Sequence, residues 1–179
     1  MNPQIYMDFA ASTPVDPAVA DAMRAALQGP VGAANPAATH WAGEAAAGAV
    51  DAARRQVAAL VGASPAEIIW TSGATESDNL AVTGAARFRR QLGRHIVTTL
   101  IEHPAVLESC RALEAEGFEL TYIAPDGAGI VDVDVVAKAL RKDTILVSIS
   151  HVNNELGVVQ PIAEIGRLCR DHNTCLLYT

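Results

Sequence analysis

The stretch EIIWTSGATESDNL, residues 67–80, decides the predicted fold. A β-rich run at 67–71 leads into a turn of small residues and then into a helical pattern that continues to about residue 91. Strands that alternate with helices are typical of a parallel sheet covered by helices. The sequence therefore predicts an α/β fold with a mainly parallel sheet flanked by helices. Further strands are expected at 95–99, 120–123 and 144–149, and helices at 17–27, 43–61, 104–116, 134–140 and from Pro161 onward.

Composition narrows the classes of function. The 179 residues are 50% hydrophobic and 18% charged, as in packed α/β proteins rather than disordered chains. The net charge of -7 is spread along the chain, so no basic patch offers a footprint for nucleic acid or anionic lipid. No apolar run approaches the roughly 18 residues of a transmembrane helix, and the N-terminus lacks a signal-peptide pattern. We therefore expect a cytoplasmic protein without a nucleic-acid or membrane partner.

The cysteines indicate neither disulfides nor a metal site. Cys110, Cys169 and Cys175 form no CxxC pair and no metal-ligand spacing. Cys110 and Cys169 each fall in register with apolar residues of a predicted helix, which is where a small hydrophobic side chain packs. We expect both thiols to be reduced and buried, and we expect no bound metal.

The turn SGAT, residues 72–75, predicts an anion site. Its small residues leave the backbone amides of the first helical turn accessible, and its hydroxyls add donors. The turn has no lysine and no GxxxxGKS pattern, which favours a single phosphate group over a nucleoside triphosphate. The alternative is that Ser72 or Thr75 only caps the helix, with Asp78 completing a T-x-x-D box.

Two other polar positions follow predicted strands. His103 lies between the second predicted strand and its helix, and Asn153 and Asn154 follow the fourth. Ligands bind outside the carboxyl ends of strands in open parallel sheets, so these side chains and the SGAT turn are expected to line one crevice. The alternatives are a histidine that only caps its helix and an asparagine pair that only shapes a turn. His151 and Glu155 form either a proton-transfer pair or part of a solvated loop.

Five segments together resemble the N-terminal part of the cysteine desulfurase family: MDFAASTPVD, AANPAATH, TSGATESDNLA, EHPAVLESC and DTILVSISHVNNELGVVQPI. The resemblance extends from about residue 5 to residue 172. It implies the fold type I large domain of pyridoxal 5'-phosphate (PLP) enzymes, grouped with the class V aminotransferases. Residues 1–15 would then be an N-terminal segment of the small domain, and 16–179 an incomplete large domain.

The resemblance also implies an activity and four residue roles. The family converts L-cysteine to L-alanine and passes the sulfur, as an enzyme persulfide, to iron-sulfur clusters and other sulfur cofactors. The backbone of Ala74 and the hydroxyl of Thr75 would hold the cofactor phosphate. His103 would stack on the pyridine ring and assist proton transfer, and Asn154 would hydrogen-bond the ring hydroxyl. Sulfur-acceptor or scaffold proteins are the implied partners, and the full-length family member is a homodimer.

The sequence departs from the family pattern at its end. In HNTCLLYT, residues 172–179, Thr179 stands at or beside the position of an aspartate that pairs with the ring nitrogen. The Schiff-base lysine is also absent, because Lys138 and Lys142 lie on or beside a predicted surface helix. The persulfide cysteine is absent too, because Cys110 and Cys169 lie on predicted helices and Cys175 lies in the divergent tail. We therefore expect a truncated desulfurase chain that is inactive alone. The alternatives are another class V enzyme, such as a selenocysteine lyase or an aminotransferase, and a non-catalytic remnant that pairs with a full-length subunit.

Overall fold

The helices of the first structural unit are α1 (Pro17–Gln28) and α2 (Trp41–Val61). The computed structural model describes residues 4–29 and 32–179, and its two compact units divide between Trp70 and Thr71. The α2 helix ends at Gly62, whose φ of 69° lies in the left-handed region that favours glycine. The domain boundary expected at residue 15 stays a prediction, and residues 1–3 of that segment lie outside the described residues.

The run 67–71, predicted to be a strand, does not form one. Glu67, the first residue of the run, is the last residue of a 3-10 turn at Pro65–Glu67. Its carboxylate accepts a hydrogen bond from the amide of Ser64 at 2.8 Å. The residues after the turn have no regular secondary structure, and the carbonyl of Ile68 accepts a hydrogen bond from the guanidinium of Arg54. A β-rich run becomes a strand only when its backbone pairs with another strand, and residue types do not reveal whether a partner is present.

The second unit contains a sheet of four strands. They are β1 (His95–Thr99), β2 (Glu119–Ile123), β3 (Thr144–Ser148) and β4 (Cys175–Leu177). The order across the sheet is β2-β1-β3-β4, and all three pairs of neighbours are parallel. The predicted α/β fold with a parallel sheet is therefore confirmed.

Helices cover both faces of this sheet. They are α3 (Ala74–Arg89), α4 (Pro104–Ala115), α5 (Val133–Ala139) and α6 (Ile162–Asp171). Side chains of α3 and α4 pack with Ile96 in one buried cluster, and side chains of α5 and α6 pack with Val97 in another. Successive side chains of a strand point to opposite faces, so the two clusters lie on opposite sides of the sheet. Cys110 and Cys169 are buried in these clusters, as predicted. Among the described residues, no helix has the length and apolar character needed to cross a bilayer.

His95 joins three strands through its imidazole ring. The ring is fully buried at the start of β1, with Nδ1 2.7 Å from the hydroxyl of Thr144 on β3 and Nε2 2.8 Å from the hydroxyl of Thr121 on β2. A hydroxyl can donate or accept, so these partners satisfy the neutral ring whichever nitrogen bears the proton. Burial is the main cause that lowers the pKa of His95.

We predict that His95 makes the free energy of unfolding fall as the pH drops below 6.5, the ordinary histidine pKa. The unfolded chain takes up a proton near that pH, whereas the buried ring has a lowered pKa and stays neutral. The contribution of His95 is therefore complete above pH 6.5 and is lost progressively below it. Urea unfolding between about pH 7.5 and about pH 5.5 should give a shallower pH dependence for His95→Gln than for the unmodified chain. Parallel curves would contradict this role.

Candidate functional site

A cavity of about 220 Å³ lies at the carboxyl ends of β1 and β3. Its walls come from the start of α3, the β1–α4 turn, the loop after β3 and the segment after β4. Three residues predicted for the site, Ala74, His103 and Asn154, all line this cavity, while Thr75 is adjacent to Ala74 in the chain and outside the lining. The full lining is Ala74, Asp78, His103, Ser150, Val152, Asn154 and Thr179.

The N-terminus of α3 is open toward a ligand. The residue at its N-cap is Gly73, which has no side chain, so the alternative that Ser72 or Thr75 caps the helix is wrong. A Cβ atom built on Gly73 would meet no atom within 4 Å, which shows free space at this end of the helix. The amides of the first turn have no acceptor within the helix, and the helix dipole favours an anion there.

One carboxylate already uses part of this turn. Glu76 accepts hydrogen bonds from the hydroxyl of Ser72 and, at 2.7 Å, from its amide. The hydrogen bond from the Ser72 hydroxyl is the main cause that lowers the pKa of Glu76, and the one from the Ser72 amide adds to it. The contact orders the residues before α3 and leaves the amides at Ala74 and Thr75 to other acceptors.

His103 both caps α4 and lines the cavity. Its Nδ1 accepts a hydrogen bond from the amide of Ala105 at 3.1 Å, which is the capping role considered as the alternative. Because Nδ1 is an acceptor, the neutral ring has its proton on Nε2. The cap thus fixes the orientation of the ring and leaves Nε2–H as its free donor.

The two asparagines have different surroundings. Asn153 is buried and shapes the loop: its side chain donates to the carbonyl of Ile101 at 2.6 Å and accepts from the amides of Glu155 and Leu156 at 3.0 and 2.8 Å. Asn154 is exposed, lines the cavity and donates to the carboxylate of Glu155 at 3.0 Å. Of the pair, only Asn154 is placed to contact a ligand.

Of the two alternatives for His151 and Glu155, the proton-transfer pair does not form. The His151 ring packs edge-on against Tyr178, with 6.5 Å between the ring centroids. The Glu155 carboxylate instead accepts from Asn154. Among the described residues, no hydrogen bond joins His151 to Glu155, and neither residue lines the cavity.

Sequence reasoning missed two buried carboxyl groups at the site. Asp78 lies on α3, four residues after Ala74, and burial raises its pKa while the nearby His103 acts in the opposite sense. Glu102 is buried in the β1–α4 turn, and burial is likewise the main cause that raises its pKa. Residues four apart share a helix face, so the spacing from Ala74 could have revealed Asp78. The sequence gives no comparable signal for Glu102.

A comparison with known protein families finds that the aminotransferase class-V family matches residues 5–178. The chain belongs to this family. Class V aminotransferases and their cysteine desulfurase relatives depend on PLP. The family assignment agrees with a parallel sheet whose cavity lies at the strands' carboxyl ends.

Individual relatives are cysteine desulfurases by name. The chain is 57% identical over 173 residues to "Cysteine desulfurase IscS" of Salmonella arizonae, covering 95% of this chain and 42% of that protein. The protein of the same name from Klebsiella pneumoniae is 57% identical over 171 residues, with the same coverage. The chain thus spans less than half the length of these relatives.

Solved structures of similar fold agree with the family. "SspA in complex with cysteine" superposes with a TM-score of 0.90 and 43% identity, covering 97% of this chain and 49% of that one. DndA from Streptomyces lividans superposes with a TM-score of 0.81 and 43% identity, covering 97% of this chain and 48% of that one. The fold is therefore that of the fold type I enzymes of the family.

The lysines and buried thiols of this class V chain lie away from its cavity. Lys138 is exposed on α5 and Lys142 is exposed after it. Burial raises the pKa of Cys110 to about 12 and that of Cys169 to about 11, so both thiols stay protonated at neutral pH. None of these four side chains lines the cavity.

We predict that Asn153→Ala lowers the free energy of unfolding by about 1–3 kcal/mol, because it removes the partner of a buried carbonyl and of two loop amides. The adjacent Asn154→Ala is the matched control and should change that energy by less than about 0.5 kcal/mol, as at other exposed positions. Urea unfolding of both variants measures the difference. Equal losses would show that Asn153 does not hold the loop.

Proposed function

We propose that this chain supplies the cofactor-binding part of a cysteine desulfurase, an enzyme that takes sulfur from L-cysteine and leaves L-alanine. The observation that supports this most is the cavity that gathers Ala74, His103 and Asn154 from three separate elements. Relatives named cysteine desulfurase, at 57% identity, favour this reaction over that of a selenocysteine lyase or an aminotransferase.

The residues around the cavity fit PLP. The open amides at Ala74 and the hydroxyl of Thr75 suit its phosphate, since a helix N-terminus without a side-chain cap favours an anion. His103 offers an aromatic face for the ring, held in place by its hydrogen bond from Ala105. Asn154 offers an amide to the ring hydroxyl. PLP, when bound, supplies an electron sink for the bonds at the substrate's α-carbon.

In the complete enzyme, this part of the chain would act on L-cysteine together with sulfur-accepting partner proteins. L-cysteine is the substrate, in keeping with the related structure determined in complex with cysteine. The sulfur passes to an acceptor or scaffold protein for iron-sulfur cluster assembly, and the complete enzyme is a homodimer. A cytoplasmic location is supported by the free thiols of Cys110, Cys169 and Cys175.

The cofactor assignment predicts that Thr75→Val weakens PLP binding about 10-fold or more, because a hydrogen bond to a charged group contributes about 1.5–3 kcal/mol. The matched control is Thr83→Val on the same helix, whose hydroxyl donates to the carbonyl of Asn79 at 2.6 Å and not to a ligand. It should leave the dissociation constant unchanged. Equilibrium dialysis of the 179-residue chain provides the measurement.

Pyridoxal without its phosphate serves as a second ligand in the same dialysis. The unmodified chain should bind PLP more tightly than pyridoxal, because the phosphate contacts α3. Equal affinity for the two compounds, or no saturable binding of PLP, would refute the cofactor assignment.

We also predict that the 179-residue chain, given PLP and L-cysteine, releases no sulfide above a blank without protein. Lys138 and Lys142 lie outside the cavity, and the raised pKa values of Cys110 and Cys169 keep their thiols unreactive. The complete product of the gene that encodes these residues should release sulfide. A colorimetric assay measures the sulfide that each of the two proteins releases. Sulfide from the 179-residue chain would contradict the first expectation, and none from the complete product would contradict desulfurase activity.

A further inference from the structure

Glu102 places a buried carboxyl group behind the cavity wall. The residue is 5% exposed and lies in the turn between β1 and α4, immediately before His103. Its Oε1 accepts a hydrogen bond from the hydroxyl of Thr99, the last residue of β1, at 2.7 Å. The amide of Ser150, just beyond the end of β3, donates to Oε1 at 3.0 Å and to Oε2 at 3.1 Å. The hydroxyl of Ser150 donates to Oε1 at 3.3 Å.

The amide of Ser150 can only donate, so it requires an acceptor on the side chain that faces it. An ionised carboxylate has acceptor sites on both oxygens and no donor, so it matches the two hydroxyls and the amide that surround it. A glutamine of the same shape would turn an N–H group toward at least one of these donors. Burial and the negative charge of Asp78 raise the pKa of Glu102, and the hydrogen bonds from Thr99 and Ser150 oppose them.

We propose that Glu102 is a positioning residue: its carboxylate holds the carboxyl ends of β1 and β3 together and so sets His103 and Asn154 at a fixed separation across the cavity. Thr99, Glu102 and Ser150 form the clasp that does this. The clasp connects directly to the lining, because His103 follows Glu102 in the chain and Ser150 itself lines the cavity.

A second contact supports the same pair of elements. Asn153 donates to the carbonyl of Ile101 at 2.6 Å, so the β1–α4 turn and the loop after β3 are joined at a second point beside the Glu102–Ser150 contact. Asn153 also fixes the backbone that bears Asn154 through the amides of Glu155 and Leu156. The two side chains hold different points: the Glu102 carboxylate contacts Thr99 at the end of β1, whereas Asn153 contacts the turn that follows β1.

The first test needs no ligand. Amide hydrogen exchange by NMR reports on the Ser150 N–H, whose hydrogen bonds to the Glu102 carboxylate should protect it in the unmodified chain. In Glu102→Gln this amide should exchange about 10-fold faster or more, since an NH2 group replaces one of the two oxygens that it contacts and the remaining oxygen is a neutral acceptor, and the amide resonances of His103 and Asn154 should shift. The matched control is Glu108→Gln on the exposed face of α4, where the carboxylate pairs with Arg111. Glu108→Gln should change neither the exchange rate at Ser150 nor the amide resonances of His103 and Asn154. Unchanged exchange at Ser150 with unshifted His103 and Asn154 in Glu102→Gln would overturn the proposal.

The second test uses PLP and rests on the proposed function. The dissociation constant of Glu102→Gln should rise about 10-fold, while its folded fraction, measured by circular dichroism under the same conditions, stays that of the unmodified chain. A Glu102→Gln protein that is folded and binds PLP with unchanged affinity would overturn the positioning role. If the unmodified chain itself does not bind PLP, the proposed function fails and the amide measurement alone decides on Glu102.

A variant that keeps the carboxylate guards against loss of folding in Glu102→Gln. Thr99→Val preserves shape and removes only the donor at 2.7 Å from Oε1. It should shift the amide resonances of His103 and Asn154 in the same direction as Glu102→Gln does, by a smaller amount. No shift at either residue would overturn the proposal.

Discussion

Parallel pairing of the four strands is the constraint on which the candidate site depends. In a parallel sheet every strand ends at the same edge, so the β1–α4 turn, the loop after β3 and the segment after β4 converge there. An antiparallel neighbour would have placed its following loop at the opposite edge. The buried ring of His95 joins the amino ends of β1 and β3 to the middle of β2, and the Glu102 carboxylate joins β1 and β3 at their carboxyl ends. The register of the central strands is thus fixed on both sides.

The charges around the cavity combine an open helix N-terminus with two buried carboxyl groups. The open N-terminus of α3 presents partial positive charge at Ala74. Asp78, one turn further along, and Glu102, behind the wall, both have pKa values raised mainly by burial. Burying a carboxyl group is unfavourable unless hydrogen bonds compensate for the lost water, and Thr99 and Ser150 supply them to Glu102. A phosphate is favoured where the amides are free.

Much of the fold followed from the sequence, because HIVTT at 95–99 and TILVS at 144–148 are β-rich runs that are buried throughout their length. The same criterion failed at 67–71, since pairing depends on a partner strand that residue types do not specify. That Ala74, His103 and Asn154 line one cavity was also predictable. Sequence did not distinguish Asn153 from Asn154 or mark Glu102 as buried, because burial of a polar side chain depends on donors distant in the chain.

Chemical-shift mapping by NMR during titration of the 179-residue chain with PLP shows where the cofactor binds. The largest shifts are expected at the amides of Ala74 and Thr75, with further shifts at His103 and Asn154. Shifts confined to Lys138 and Lys142, or to the groove on α6 and β4 that includes Arg167 and Arg170, would contradict this expectation. In that case the cavity at the strand ends would not be the cofactor site.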